Sequence, residues 1–285
     1  MFVARLVSLF IACLSPLAGP ASVAAAESAI SPADGPIRIL DGHRLAGCYT
    51  FLKDAKYEDP RGVFTVNDGV LRISGDGFGS VITQDAYRDY HAIVEYKWGE
   101  RTWHDRADAA RDSGLLIHSA GPDGGYGGMW MPSIEVQIIE GGVGDFILVT
   151  EEGANPPTPI ALTCETARDR DGEVIWQAGG RRETFDLANR QRINWFGRDE
   201  DWKDVRGFRG RRDADSPHGQ WTRLDVIAAG GRIEVFVNGV KVNEALDASP
   251  QAGKLQLQSE LAELFVRRWE LWPPGKAPPP APAEQ

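Results

Sequence analysis

Along most of the chain apolar and polar residues alternate with period two, and Gly, Asp and Asn interrupt the alternation at short intervals. HAIVEYKW is the clearest case: Ala92, Val94 and Tyr96 fall on one face, and Ile93, Glu95 and Lys97 on the other. GVFTVNDGVLRISGDG reads as two short strands around an Asn-Asp-Gly turn, and GRIEVFVNGVKVNEAL as a hairpin turning at Asn238-Gly239. SGLLIHS, SIEVQII, DFILVT, TRLDVIA, GKLQLQS and ELFVRRWEL carry the same signal. Helical periodicity is weak throughout; only HDRADAARD predicts a short helix, capped by Asp105. About a dozen short strands at this spacing predict an antiparallel sandwich or barrel. Such a sandwich buries the alternate apolar residues of two facing sheets and leaves one outer or concave face for polar and aromatic groups.

The first residues break this pattern. Arg5, an apolar run from Leu6 to Leu14, a Pro-Gly breaker region and Ala24-Ala25-Ala26 have the layout of a secretory signal, with cleavage expected after Ala26. The run is too short to span a bilayer. The mature chain is then expected to be a soluble protein, periplasmic or secreted. A leader over residues 27–36 enters a single β domain over 37–273, and a Pro-rich tail from 274 to 285 is expected to be disordered. The net charge of −10 becomes more negative once Arg5 is removed, which argues against nucleic acid or an anionic membrane as partner. Cys48 and Cys164 remain, either as a disulfide that an oxidising compartment permits or as two separate thiols.

The candidate chemistry lies in SIEVQIIEGG. Strict alternation puts Ser133, Glu135, Gln137 and Ile139 on one face, and Ile134, Val136 and Ile138 on the other. Glu140 then falls on the apolar face, where an unpaired carboxylate is costly. A bulge at Ile138-Ile139, helped by Gly141-Gly142, is expected to return Glu140 to the side of Glu135 and Gln137. Two carboxylates so placed suit acid–base or nucleophilic work; the alternative is a strand end with Glu140 in solvent. The preceding Gly-rich loop bears Tyr126 and Trp130, and aromatics beside carboxylates suit sugars; Trp130 equally reads as a cap on the core. No Gly-Lys-Ser/Thr follows, so the loop is not a phosphate cradle. His118 shares the face of Leu116 by alternation and is a candidate base. A divalent ion between His118 and Glu135 or Glu140 lacks a supporting HxH or HxxxH spacing.

The run RDSGLLIHSAGPDGGYGGMWMPSIEVQIIEGGVGDFILV, with GRIEVFVNGVKVNEAL and GKLQLQSELAELFVRRWEL, resembles the bacterial 3-keto-disaccharide hydrolase-like family over residues 37 to 273. SGLLIH, EVQIIEGG and LQSE stand in that family's order. The resemblance implies an all-β fold, an antiparallel jelly-roll β-sandwich of the concanavalin A-like lectin/glucanase type, with the site on a concave sheet. It also implies action on glycosides bearing a ketone at C3, supplied by a partner sugar 3-oxidoreductase. Such a ketone acidifies the C2 hydrogen, so a base removes it, the C1 group leaves by elimination, and water adds to complete net hydrolysis.

Related β-glucanases carry Glu-x-Asp-x-x-Glu where this chain has Glu135-x-Gln137-x-x-Glu140. The carry-over makes Glu135 and Glu140 the acid/base pair. Gln137, which does not ionise, departs from ordinary retaining glucanase chemistry and becomes a substrate or orienting contact. His118 is then a neighbouring base or ligand, and Trp130, Tyr126, Asp145 and Glu260 shape the pocket. In LQSELAEL, Leu261 stands where a glycine is expected. An oligosaccharide or glycoside is the expected partner, with a divalent metal admitted but not required. A lectin-like binding module and a plain β-glucan hydrolase are the rival readings.

Overall fold

The computed structural model describes residues 28–155 and 157–279. Residues 1–27, on which the expected signal falls, residue 156 and the last six residues lie outside them. Among the described residues seventeen strands follow one another. The first nine are β1 Ile37–Arg38, β2 Cys48–Leu52, β3 Phe64–Asn67, β4 Val70–Ile73, β5 Phe78–Thr83, β6 Tyr90–Thr102, β7 Asp112–Ser119, β8 Ser133–Ile139 and β9 Phe146–Val149. The rest are β10 Ala161–Arg168, β11 Val174–Trp176, β12 Arg181–Phe185, β13 Thr222–Ala229, β14 Arg232–Val237, β15 Val240–Ser249, β16 Lys254–Glu260 and β17 Ala262–Trp272.

They form two antiparallel sheets, the jelly-roll sandwich expected from the sequence. One has the order β11-β10-β15-β14-β13-β6-β17-β4-β3, with β1 and β12 on its margins; the other runs β2-β5-β16-β7-β8-β9. Ala92, Val94 and Tyr96 of β6 meet Leu115 and Ile117 of β7 and Ile134, Val136 and Ile138 of β8 in one continuous core. Each Val, Leu or Ile among them contributes about 1.5–3 kcal/mol by leaving water. Both sequence-predicted turns take left-handed backbone, Asp68 at φ 49° with Gly69 at φ 78°, and Asn238 at φ 48° with Gly239 at φ 83°.

HDRADAARD does not make the expected helix. It forms a single 3₁₀ turn, His104–Arg106, which buries no residue and has no side-chain cap; Asp105 sits inside the turn, and the extended Trp103 precedes it. With no apolar stripe to bury, helical propensity alone does not hold the segment. Cys48 and Cys164 are both free thiols, one in each sheet. The leader is tied down, since Ile30 exchanges backbone hydrogen bonds with Ala86 and Arg88. The Pro-rich tail is anchored at its start, where Arg223 Nη2 donates to the Pro278 carbonyl at 2.8 Å.

Candidate functional site

The β7–β8 register runs unbroken from Ile117 opposite Ile134 to Asp112 opposite Ile139. Asp112, Gly114 and Leu116 therefore share a face with Glu135, Gln137 and Ile139. On β16, Gln256 lies opposite Leu116, so Gln258 and Glu260 line the same outer face. Phe78 of β5 lies opposite Glu260. The floor of the site is Gly114. A Cβ there would lie within 3 Å of both Glu135 Oε1 and Gln258 Oε1, so the bare Cα is what lets these side chains approach from either side.

Three carboxyls meet around this floor. Asp112 accepts from Gln137 Nε2 at 2.8 Å and from Arg106 Nη2. Arg106 Nη2 also lies 3.8 Å from Glu260 Oε1. Burial pushes Asp112 up to about 6 even though Arg106 and Arg192 oppose the shift. Burial, reinforced by the Asp112 charge, pushes Glu135 up to about 8. Burial, then the charges of Asp112 and Glu135, holds Glu260 well above the carboxylate range. Asp112, already held by a cation and an amide, is the group that keeps its charge; Glu135 retains its proton to near-neutral pH, and Glu260 holds its proton more tightly than a free carboxyl. Gln137 Oε1, both polar atoms of the Gln258 amide and Arg192 Nη2 are buried without a hydrogen-bond partner. Such groups are costly unless a ligand or solvent meets them.

The bulge expected at Ile138-Ile139 does not form, and Glu140 stays on the opposite face from Glu135. Its carboxylate is buried but not unpaired. Oε1 accepts from Arg111 Nη1 at 2.7 Å, and Oε2 from the backbone N–H groups of Arg111 at 2.9 Å and Gly207 at 2.8 Å. The penalty that argued for a bulge is thus met by an ion pair. His118 also misses the site. A register shift between Leu116 and Ser119 puts it at φ 51°, with Nδ1 on the Pro250 carbonyl at 2.9 Å and its ring edge-on to Tyr90. Burial pushes its pKa down to about 4.

Trp130 is buried on Leu116, donates to the Gly79 carbonyl at 2.9 Å and stacks on Tyr126 with ring centroids 6.0 Å apart. Together with Met131, which packs on Phe51 and Ile82, it covers one end of the outer face. Asp145 is fully buried and accepts from the Trp195 N–H at 2.6 Å, from Arg192 Nε at 2.7 Å and from Arg198 Nη1. It positions Arg192 rather than facing the floor. Glu260 is in the site, and Leu261 after it takes the left-handed backbone, φ 63°, that the missing glycine would have favoured. Among the described residues no three His, Cys, Asp or Glu side chains form a set that fits a metal ion.

The sequence thus supplied Glu135, Gln137 and Glu260 but missed Asp112, Gly114, Gln258, Arg106 and Arg192. Gln258 was within reach, because it alternates with Glu260 in LQLQSE. Asp112 and Gly114 alternate too, but only the register shows that theirs is the face of Glu135. Nothing local marks the two arginines, which come from loops.

Among solved structures the chain is similar to a putative glycosyl hydrolase from Parabacteroides distasonis ATCC 8503, at 17% identity over 84% of this chain and 94% of that one, with a TM-score of 0.47. It is also similar to a β-glucanase of Bacillus licheniformis, at 11% identity over 84% and 97% of the two chains, TM-score 0.41. A third is the carbohydrate binding module CBM66 from Bacillus subtilis, at 10% identity over 79% and 94%, TM-score 0.41. No curated protein matches the chain. The 3-keto-alpha-glucoside-1,2-lyase-like domain matches residues 35–271, nearly all of the sandwich, and the chain therefore belongs to that family, which supports a carbohydrate-active function.

Proposed function

We propose that this chain cleaves the glycosidic bond of 3-keto-glycosides, short disaccharides among them, by elimination followed by addition of water. The observation that carries the reading is the Asp112–Glu135–Glu260 cluster around the Gly114 floor, in which burial and mutual charge raise the proton affinity of Glu135 to about 8 and of Glu260 well above the ordinary carboxylate. Glu135, in its ionised fraction, takes the C2 proton that the C3 ketone has acidified. The electron pair forms the C1–C2 double bond, the C1–O bond breaks, and the leaving oxygen takes the proton of Glu260. Water then adds at C1, giving a proton to Glu260, while Glu135 returns its proton to C2. Both carboxyls end as they began, so the cycle balances without a covalent sugar–enzyme bond.

The unpartnered Gln137 and Gln258 amides and Arg192 Nη2 supply hydrogen bonds to the ketone, its enolate and the ring hydroxyls. Asp112 does not react; its fixed charge raises the proton affinity of the other two. The cover formed by Trp130 and Met131 closes one end of the outer face, which favours a short glycoside over a long β-glucan strand. A lectin-like role loses its platform, because the Trp130 ring is already stacked and buried. The same proposal includes export, with a mature N-terminus at Glu27, and a sugar 3-oxidoreductase that makes the ketone.

The test is incubation with paired disaccharides, with and without the C3 ketone and with and without chelator. Release of the leaving sugar from the ketone form alone, lost in Glu135→Gln, is expected. Equal cleavage of the unoxidised partner, or unchanged cleavage by the variant, would overturn the reading.

A further inference from the structure

Beside the carboxylates lies a cavity of about 440 Å³ whose walls include Lys53, Asp54, Phe78, His104, Asp105 and Leu261. Three links tie it to the reacting end. Phe78 lies directly opposite Glu260 across the β5–β16 ladder. Leu261 follows Glu260 in the chain. His104 and Asp105 sit in the same 3₁₀ turn as Arg106, whose guanidinium reaches Asp112 and Glu260.

The cavity wall is held in place by unusual backbone. Leu261 at φ 63° and His104 at φ 45° both take the left-handed region, and the Trp103 N–H donates to the Leu261 carbonyl at 2.8 Å. Its chemistry is mixed. Phe78 keeps part of its ring accessible, with its edge on Trp130 and the Lys53 ammonium 5.9 Å from its centroid. Asp54 is engaged by Arg61 at 2.7 Å, whereas Lys53 and Asp105 stay exposed with no ion pair among those of the described residues. An aromatic surface flanked by an exposed cation and an exposed anion matches a neutral ring with an apolar face and hydroxyls that both donate and accept.

We infer that this cavity is the subsite for the leaving group, and that it takes a neutral hexose-sized ring lying against Phe78, with its hydroxyls on Lys53 and Asp105. The inference rests on the proposed cleavage for the direction in which the bond is oriented. Glu260, at the cavity's edge, is then the carboxyl that protonates the departing oxygen, and Phe78 and Lys53 are specificity-determining groups.

The experiment compares wild type, Phe78→Ala and Lys53→Ala on a 3-keto-disaccharide and on the methyl 3-keto-glycoside, which has no ring to place in the cavity. Phe78→Ala is expected to lower kcat/KM at least tenfold more on the disaccharide than on the methyl glycoside. Lys53→Ala, an exposed position that spares the fold, is expected to show a differential of three- to tenfold. Equal losses on both substrates, or no loss on either, would overturn the assignment. Binding of the unoxidised disaccharide, followed by calorimetry, needs neither the ketone nor turnover. A tenfold weaker affinity in Phe78→Ala supports the subsite even if wild type cleaves nothing, an outcome that would sink only the proposed reaction. Unchanged affinity would sink the subsite itself.

Discussion

Replacing Gly114 by alanine adds one methyl group to the floor of the site and nothing else. Gly114 does not take left-handed backbone, so the substitution meets no conformational barrier. The new Cβ would lie within 3 Å of Glu135 Oε1 and Gln258 Oε1, and 3.1 Å from Gln258 Cδ. Each oxygen must retreat by about 1 Å to reach an ordinary contact. A displacement of that size in a reacting group lowers a rate by about 100-fold, or about 2.7 kcal/mol of transition-state binding. Stability should respond less. Overpacking costs about 1–3 kcal/mol, and the smaller entropy loss of alanine within a strand offsets about 0.5–1 kcal/mol of it. The net is roughly 0–2.5 kcal/mol, which lowers Tm by less than about 10 °C in a domain of this size. The assay is kcat/KM on a 3-keto-disaccharide beside a thermal melt, both at a temperature where the variant is folded. Activity within about threefold of wild type would show that the Glu135–Gln258 approach over Gly114 is not the site. A loss no larger than the fraction unfolded would refute the argument equally.

Other perturbations separate the roles of the charged groups. Asp112→Asn removes a like charge that raises Glu135, so the pH profile of kcat/KM should move to lower pH by about one unit; an unmoved profile would count against the cluster. The Glu135 carboxyl titrates near 8 when folded and near its ordinary 4.5 when unfolded. Its contribution to stability is therefore full below about 4.5 and is lost as pH rises through about 8. Glu135→Gln abolishes that loss, so relative to wild type it should gain on the order of 4 kcal/mol between pH 4.5 and 8.5, measured by denaturant titration at each pH. Glu140→Ala leaves Arg111 buried and unpaired, which should destabilise by about 3–5 kcal/mol, with activity falling only as the fold is lost. The double change Arg111→Met with Glu140→Met should recover most of that stability, and a fully stable single variant would refute the structural role of the pair.

Much of this protein was written in its period-two pattern. Alternation located strands over SGLLIHS, SIEVQII and GKLQLQS, and it assigned Glu135 and Gln137 to one face, because strand side chains alternate whatever the surroundings. The Asn-Asp-Gly and Asn-Gly turns were equally local, since left-handed backbone selects those residues. Parity also placed Glu140 with Ile138, correctly; what alternation lacked was the Arg111 side chain that makes such burial tolerable. That partner stands 29 residues earlier in the chain, and only the sheet register brings it near. His118 failed for the opposite reason, because one extra residue between Leu116 and Ser119 reverses its face. The acid–base cluster itself is a tertiary fact. Asp112, Glu135 and Glu260 come from three strands, and Arg106 and Arg192 from two loops. Their raised proton affinities arise from shared burial and mutual repulsion, which depend on distance in space and have no trace along the chain.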